Sequence, residues 1–164
     1  MSDSPTLGNG NFLYKVIENW EQIPNGYSWK ETAGVITDDH DNVYVFSRGN
    51  HPMMVFDKNG AFIKSWGEGI FSRPHGVSKG PDNTIYCTDD GDHSVRQCTL
   101  DGKILMTIGN PGNPSSLFSG TPFNRCTHTA TDPDSGEIFV TDGYGNSKIH
   151  KYTCLLYTSD AADE

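Results

Sequence analysis

The chain has 164 residues, with 12 Lys and Arg against 21 Asp and Glu, giving a net charge of −9. That balance argues against nucleic acid as a partner, because phosphate binding needs a basic face. No apolar run approaches the length of a membrane span, so no membrane partner is expected either.

Residues 1–31 open with "MSDSPTLGNGNF", which has neither a basic n-region nor an apolar h-region. No signal peptide is visible, and the cytoplasm is the default location. Aromatic side chains follow at Phe12, Tyr14, Trp20, Tyr27 and Trp29, and "FLYKVIENW" (residues 12–20) reads as an outer strand that would complete a closing blade. Beyond it the chain repeats. Residues 34–67 align without a gap on residues 76–109 at a spacing of 42, and a third copy begins near Thr127 after a further spacing of 53. Each copy divides into four short strand signals separated by Asp-Asn, Asn-Gly or Asp-Gly pairs, which tolerate the backbone angles of tight hairpins. β-Branched and aromatic residues fill the strands. With 18 Gly and 9 Pro punctuating the chain, this is an all-β pattern. Four antiparallel strands about every forty residues make a propeller blade, with an open β-solenoid as the competing architecture.

The predicted organisation is a blade over 32–67, a blade over 73–109, an inter-blade loop over 110–124 and a partial blade over 125–153. The last residues, "CLLYTSDAADE" (154–164), break the pattern and back-translate to a sequencing-library adapter, so they read as an artefact. Propellers close on four to eight blades. About three blades therefore read as an N-terminal fragment with exposed, aggregation-prone edges. Cys87, Cys98, Cys126 and Cys154 show no metal-ligand spacing and read as buried free thiols, with no disulfide expected.

Alternating strand direction puts the start of each blade and the turn between its second and third strands on one face. That face collects Ala33, His75 and His128 with Arg48, Asn50, His51, Asp90, Asp92, His93, Tyr144 and Asn146. Residues shared between copies read as structural; His93, for example, aligns with His51 and Asn146. Arg48 and Tyr144 differ from their counterparts in the other copies, and His75 aligns with Ala33 and His128. Arg48, His75 and Tyr144 are the functional candidates, since histidine, arginine and tyrosine at one channel mouth suit a metal-assisted site.

The segments "VYVFSRGNHP", "SWGEGIFSRPHGVS", "TDDGDHSV" and "EIFVTDGYGNSKIHKY", within residues 27–153, resemble the NHL-repeat peptidyl-α-hydroxyglycine α-amidating lyases (peptidylamidoglycolate lyases). The resemblance implies a six-bladed propeller in the full-length parent, with zinc in its channel and a structural calcium. It implies carbon–nitrogen lyase activity, splitting a peptidyl-α-hydroxyglycine into a peptide amide and glyoxylate. Carried over, His75 falls on a zinc ligand, Arg48 and Tyr144 on catalytic positions, and Val35 and Val77 on backbone-carbonyl calcium ligands. His128 is a possible accessory group. The remaining zinc histidines and the calcium aspartate are expected in later blades, so the fragment itself is expected to be inactive. Asn124 and Gly145 stand where animal members place a cysteine pair, which suggests a bacterial-type relative. The expected partner is a small-molecule or peptide substrate. The alternative is a non-catalytic NHL propeller serving as a protein- or ligand-binding scaffold.

Overall fold

The structure is a computed structural model that describes residues 5–120 and 122–153. The residues read as an adapter artefact, 154–164, and with them Cys154, lie outside the described residues.

The N-terminal segment departs from expectation. Instead of one strand over residues 12–20, it forms a hairpin of β1 (Thr6–Asn9) and β2 (Phe12–Lys15), with Thr6 opposite Lys15. The turn runs through Gly10 at φ 57°, and Asn19 at φ 54° prevents the extended run from continuing. Residues 16–31 then wrap blade 1. Trp20 and Trp29 pack tilted against Phe56 at 5.9 and 5.8 Å, and Tyr27 stacks on His51 at 3.8 Å. Three of the five aromatic residues seen in the sequence thus cover an outer face, while Phe12 and Tyr14 stay exposed on the hairpin.

Three antiparallel meanders follow. The first has β3 (Thr32–Thr37), β4 (Val43–Ser47), β5 (Met53–Phe56) and β6 (Phe62–Trp66) in sequential order. The second has β7 (Pro74–Lys79), β8 (Thr84–Asp89), β9 (Ser94–Thr99) and β10 (Ile104–Gly109). The third has β11 (His128–Thr131), β12 (Ile138–Asp142) and β13 (Lys148–Tyr152), with one helical turn, α1 (Gly143–Asn146), before β13. These are the blades that the repeat predicts.

The blades pack face to face. Side chains alternate across a strand, and β8 uses both faces. Ile85 and Cys87 join Tyr44, Phe46, Met53, Val55, Trp66, Val77 and Cys98 between blades 1 and 2. Tyr86 joins Val95, Phe123, Cys126, Ile138 and Val140 between blades 2 and 3. Cys87, Cys98 and Cys126 are buried free thiols.

The first strands of the blades lie side by side, and the repeated glycine permits it. A methyl group at Gly34 would come 2.9 Å from Val77 Cγ1, and one at Gly76 would come 2.6 Å from His128 Nδ1. These glycines are selected by close backbone approach rather than by turn geometry. Turn carboxylates stabilise the hairpins. Asp38 accepts from the His40 and Asn42 amides at 2.8 and 2.9 Å, Asp57 from Asn59 and Ala61 at 2.8 and 2.9 Å, and Asp132 from Asp134 and Ser135 at 2.9 and 3.0 Å.

Gly76→Ala should force β7 and β11 apart and destabilise the protein by about 1–3 kcal/mol, read as a lower urea midpoint. The Asp57 and Asp132 carboxyls are held below their usual range, chiefly by backbone hydrogen bonds from Ala61 and Ser135 respectively. At Asp38, burial raises the carboxyl but the Asn42, His40 and Tyr44 hydrogen bonds outweigh it. A carboxyl depressed on folding stabilises the native state fully above its unfolded value, near 4, and loses that contribution as pH falls through the folded value. Acid titration followed by circular dichroism should therefore show stability falling below about pH 4, with Asp57→Asn and Asp132→Asn flattening the dependence.

Candidate functional site

One carboxylate organises the end of blade 2. Asp89, the last residue of β8, is fully buried and accepts from four backbone amides: Ser72 at 2.6 Å, Arg73 at 2.9 Å, Gly91 at 2.8 Å and Asp92 at 3.1 Å. Two donors belong to the linker entering the blade and two to the loop between β8 and β9. Asp142 repeats the arrangement at the end of β12. It accepts from the Asn124 amide at 3.1 Å, from Asn146 Nδ2 at 2.5 Å and from His150 Nε2 at 3.2 Å. The linker that carries His75 and the loop that carries Tyr144 are fixed by these two anchors.

His75, on β7, faces Tyr144, on α1 of the next blade. Its Nδ1 lies 2.9 Å from the Thr127 carbonyl oxygen. A carbonyl only accepts, so Nδ1 carries the proton and Nε2 holds the lone pair. That Nε2 lies 3.2 Å from the Tyr144 hydroxyl, which must donate to it. The two rings meet edge to face at 5.6 Å. His128, beside them, is held below the usual histidine range by burial and by the neighbouring His75.

Guanidiniums gather around the same end. Arg125 covers the Tyr144 ring at 4.7 Å from its centroid. Its Nη2 donates to Asp90 Oδ2 at 2.9 Å, and Arg73 Nη1 reaches the same oxygen at 3.0 Å. The Asp90 side chain is 0% exposed, and its other oxygen, Oδ1, accepts from no described residue. Arg48 donates from Nε to the Pro74 carbonyl at 2.9 Å and from Nη1 to Glu31 at 2.5 Å. The Arg48 hydrogen bond, followed by its charge, holds the Glu31 carboxyl below its usual range.

The structure divides the residues that the sequence placed on this face. His75 and Tyr144 touch, with His128 next to His75, and Arg48 reaches the carbonyl of Pro74 immediately before His75. The repeat-shared residues turn into the scaffold instead. His51 pairs with Glu68 at 2.9 Å, His93 Nδ1 accepts from the Arg125 amide at 2.9 Å, and Asn146 ties Gly120, Ser115 and Asp142. Asp92 is paired with Arg96 at 2.5 Å. Val35 and Val77 sit on the adjacent inner strands β3 and β7; the Val35 side chain is exposed and that of Val77 buried. Glu31, Arg73 and Arg125 were not singled out from the sequence. They lie in segments that the repeat alignment skips, and their signal is composition: three of the four arginines in the chain (Arg48, Arg73, Arg125) meet here.

His75 has the form of one metal ligand, with one ring nitrogen tied to a carbonyl and the other carrying a lone pair. Among the described residues there is no group of three or more His, Cys, Asp or Glu that could hold a metal ion. Three protein ligands are the usual catalytic minimum for zinc, so the described residues alone do not make a zinc site.

No family model matches the chain. Peptidylglycine alpha-amidating monooxygenase of Rattus norvegicus is 28% identical over 150 residues, covering 75% of this chain and 15% of that protein. Peptidyl-alpha-hydroxyglycine alpha-amidating lyase 1 of Drosophila melanogaster is 36% identical over 91 residues, 54% of this chain and 16% of that protein. A probable peptidyl-alpha-hydroxyglycine alpha-amidating lyase of Caenorhabditis elegans is 31% identical over 122 residues, 70% of this chain and 33% of that protein. The chain spans a third or less of the length of each of these relatives. Among solved structures, virginiamycin B lyase from Staphylococcus aureus superposes with TM-score 0.53 at 16% identity, over 76% of this chain and 42% of that one. The nidogen/laminin complex gives TM-score 0.55 at 19% identity, over 74% and 44%. At such identities the likeness shows the fold alone, a β-propeller of antiparallel blades.

Removing the Asp89 carboxylate leaves four amides without their acceptor. Asp89→Ala should cost at least about 3 kcal/mol in urea unfolding, since bonds to a charged acceptor are the stronger kind. A loss under about 1 kcal/mol would mean that other contacts hold the linker and loop.

Proposed function

We propose that this chain is part of a carbon–nitrogen lyase of the amidating type, whose full-length parent cleaves a peptidyl-α-hydroxyglycine-like substrate into a peptide amide and glyoxylate. The observation that supports this reading is the Tyr144 hydroxyl held 3.2 Å from His75 Nε2 across two blades, among arginines. The sequence relatives named as amidating lyases support it independently.

The chemistry needs one proton moved and one bond broken. As the substrate hydroxyl gives its proton to the Tyr144 oxygen, the phenol proton passes to His75 Nε2. The oxygen lone pair closes to the aldehyde of glyoxylate, the C–N bond breaks, and the departing amide nitrogen takes up the proton. Arg48, with Nη2 engaged by no described residue, would stabilise the negative charge of the substrate carboxylate. The proposal includes His75 as one zinc ligand and the Val35 and Val77 carbonyls as calcium ligands. Zinc bound there would act as a Lewis acid on the substrate oxygens. His75 Nε2 has one lone pair, so the proton relay through it applies only while it carries no metal; with zinc held there, the Tyr144 oxygen would itself carry the proton from the substrate hydroxyl to the departing nitrogen.

Incubating the full-length protein with an N-acyl-α-hydroxyglycine should release glyoxylate, with Tyr144→Phe lowering kcat by about 100-fold or more. A scaffold propeller would bind without release, and absence of glyoxylate would overturn the lyase reading. Metal analysis of the same protein should find zinc that is lost on His75→Ala, and no bound metal would remove the zinc assignment.

A further inference from the structure

The guanidinium pair on Asp90 has features that the lyase reading does not use. Arg73 and Arg125 both donate to the single oxygen Oδ2 of a fully buried carboxylate, at 3.0 and 2.9 Å. Their side chains remain 45% and 41% exposed. Arg48 differs in being only 20% exposed at its side chain and in pairing with Pro74 and Glu31 instead of Asp90. Both members of the pair keep donors that no described residue engages: Nε and Nη2 of Arg73, and Nη1 of Arg125.

Two like charges on one oxygen repel each other, and one buried carboxylate cannot neutralise both. A second anion seated against the free donors would relieve that repulsion. The three arginines Arg48, Arg73 and Arg125 outnumber Glu31 and Asp90, the carboxylates that their side chains pair with, while the neighbouring Asp89 is taken up by backbone amides. Arginine is the side chain whose planar fork matches a carboxylate; here Arg73 keeps its Nε and Nη2 edge free, and Arg125, whose Nε and Nη2 both face Asp90, adds Nη1. Arg125 also lies on the Tyr144 ring, which puts the pair beside the reacting groups of the proposed lyase.

We propose that Arg73 and Arg125, held by Asp90, form a carboxylate subsite separate from Arg48. It makes the site prefer ligands that carry an acidic side chain next to the terminal carboxylate-bearing residue. This inference rests on the reading of the Tyr144–His75 face as a ligand-binding mouth, but needs neither metal nor turnover.

The test is calorimetric titration of the full-length protein with N-acetyl-Glu-Gly and with its neutral counterpart N-acetyl-Gln-Gly. The acidic peptide should bind at least about tenfold more tightly, and the preference should shrink with added salt. Arg125→Lys and Arg73→Lys keep a positive charge on Asp90, so folding is retained, while the fork is lost. Each should reduce the preference to roughly threefold or less. Arg48→Lys should weaken both peptides together and leave the preference intact. Equal binding of the two peptides, or a preference that survives both lysine variants, overturns the subsite. Binding of neither peptide overturns it too, while the glyoxylate assay still decides the lyase reading on its own.

Discussion

A buried carboxylate at the end of the second strand of a blade is the constraint on which the site depends. Asp89 binds four amides drawn from two segments distant in sequence, the linker at Ser72–Arg73 and the loop at Gly91–Asp92, which also meet through the Asp90 amide on the Arg73 carbonyl and the Arg73–Asp90 ion pair. Asp89 is 0% exposed, and its four hydrogen bonds offset the cost of taking the carboxyl out of water. The reward is geometric. The linker leads straight into Pro74 and His75, so a scaffold contact fixes where the imidazole starts. Asp142 does the same for the loop bearing Tyr144. A histidine and a tyrosine 69 residues apart thus meet at 3.2 Å because each hangs from its own anchor.

The second constraint is lateral. Gly34 and Gly76 allow the inner strands β3, β7 and β11 to approach so closely that a side chain would collide. This draws the mouths of neighbouring blades together, and it brings Arg125 from the third linker onto Tyr144 and Asp90. The site is therefore assembled from blade entrances and not within any single blade.

Much of this was legible in the repeat. Val43–Ser47 and Thr84–Asp89 are strands because their β-branched and aromatic content and the flanking Asp, Asn and Gly turns point the same way. Comparing copies separated His51, His93 and Asn146, which hold turns, from Arg48 and Tyr144, which do not recur, and from His75, which recurs as His128 in the third copy. What stayed hidden lies outside the aligned copies or depends on distance along the chain. The expected strand over residues 12–20 ends at Lys15, and its partner β1 was not read because Thr6–Asn9 carries only one large apolar residue, Leu7. The Asp90–Arg125 pair joins residues 35 positions apart, one of them in a linker with no repeat counterpart. A pattern search within the copies cannot find such a contact.

The two faces of β8 have a further consequence. Ile85 and Cys87 belong to the core with blade 1, while Tyr86, between them in sequence, belongs to the core with blade 3. Each middle blade therefore shares its strands between two neighbours and owns no core of its own. Nearest-neighbour coupling of this kind makes the array melt as linked units. It also sets which positions are free to diversify. Turns and channel mouths can change blade by blade, as Arg48, Asp90 and Gly143 have done at one aligned position. A shared strand must satisfy two partners at once, so its residues can drift only in concert with both adjoining blades.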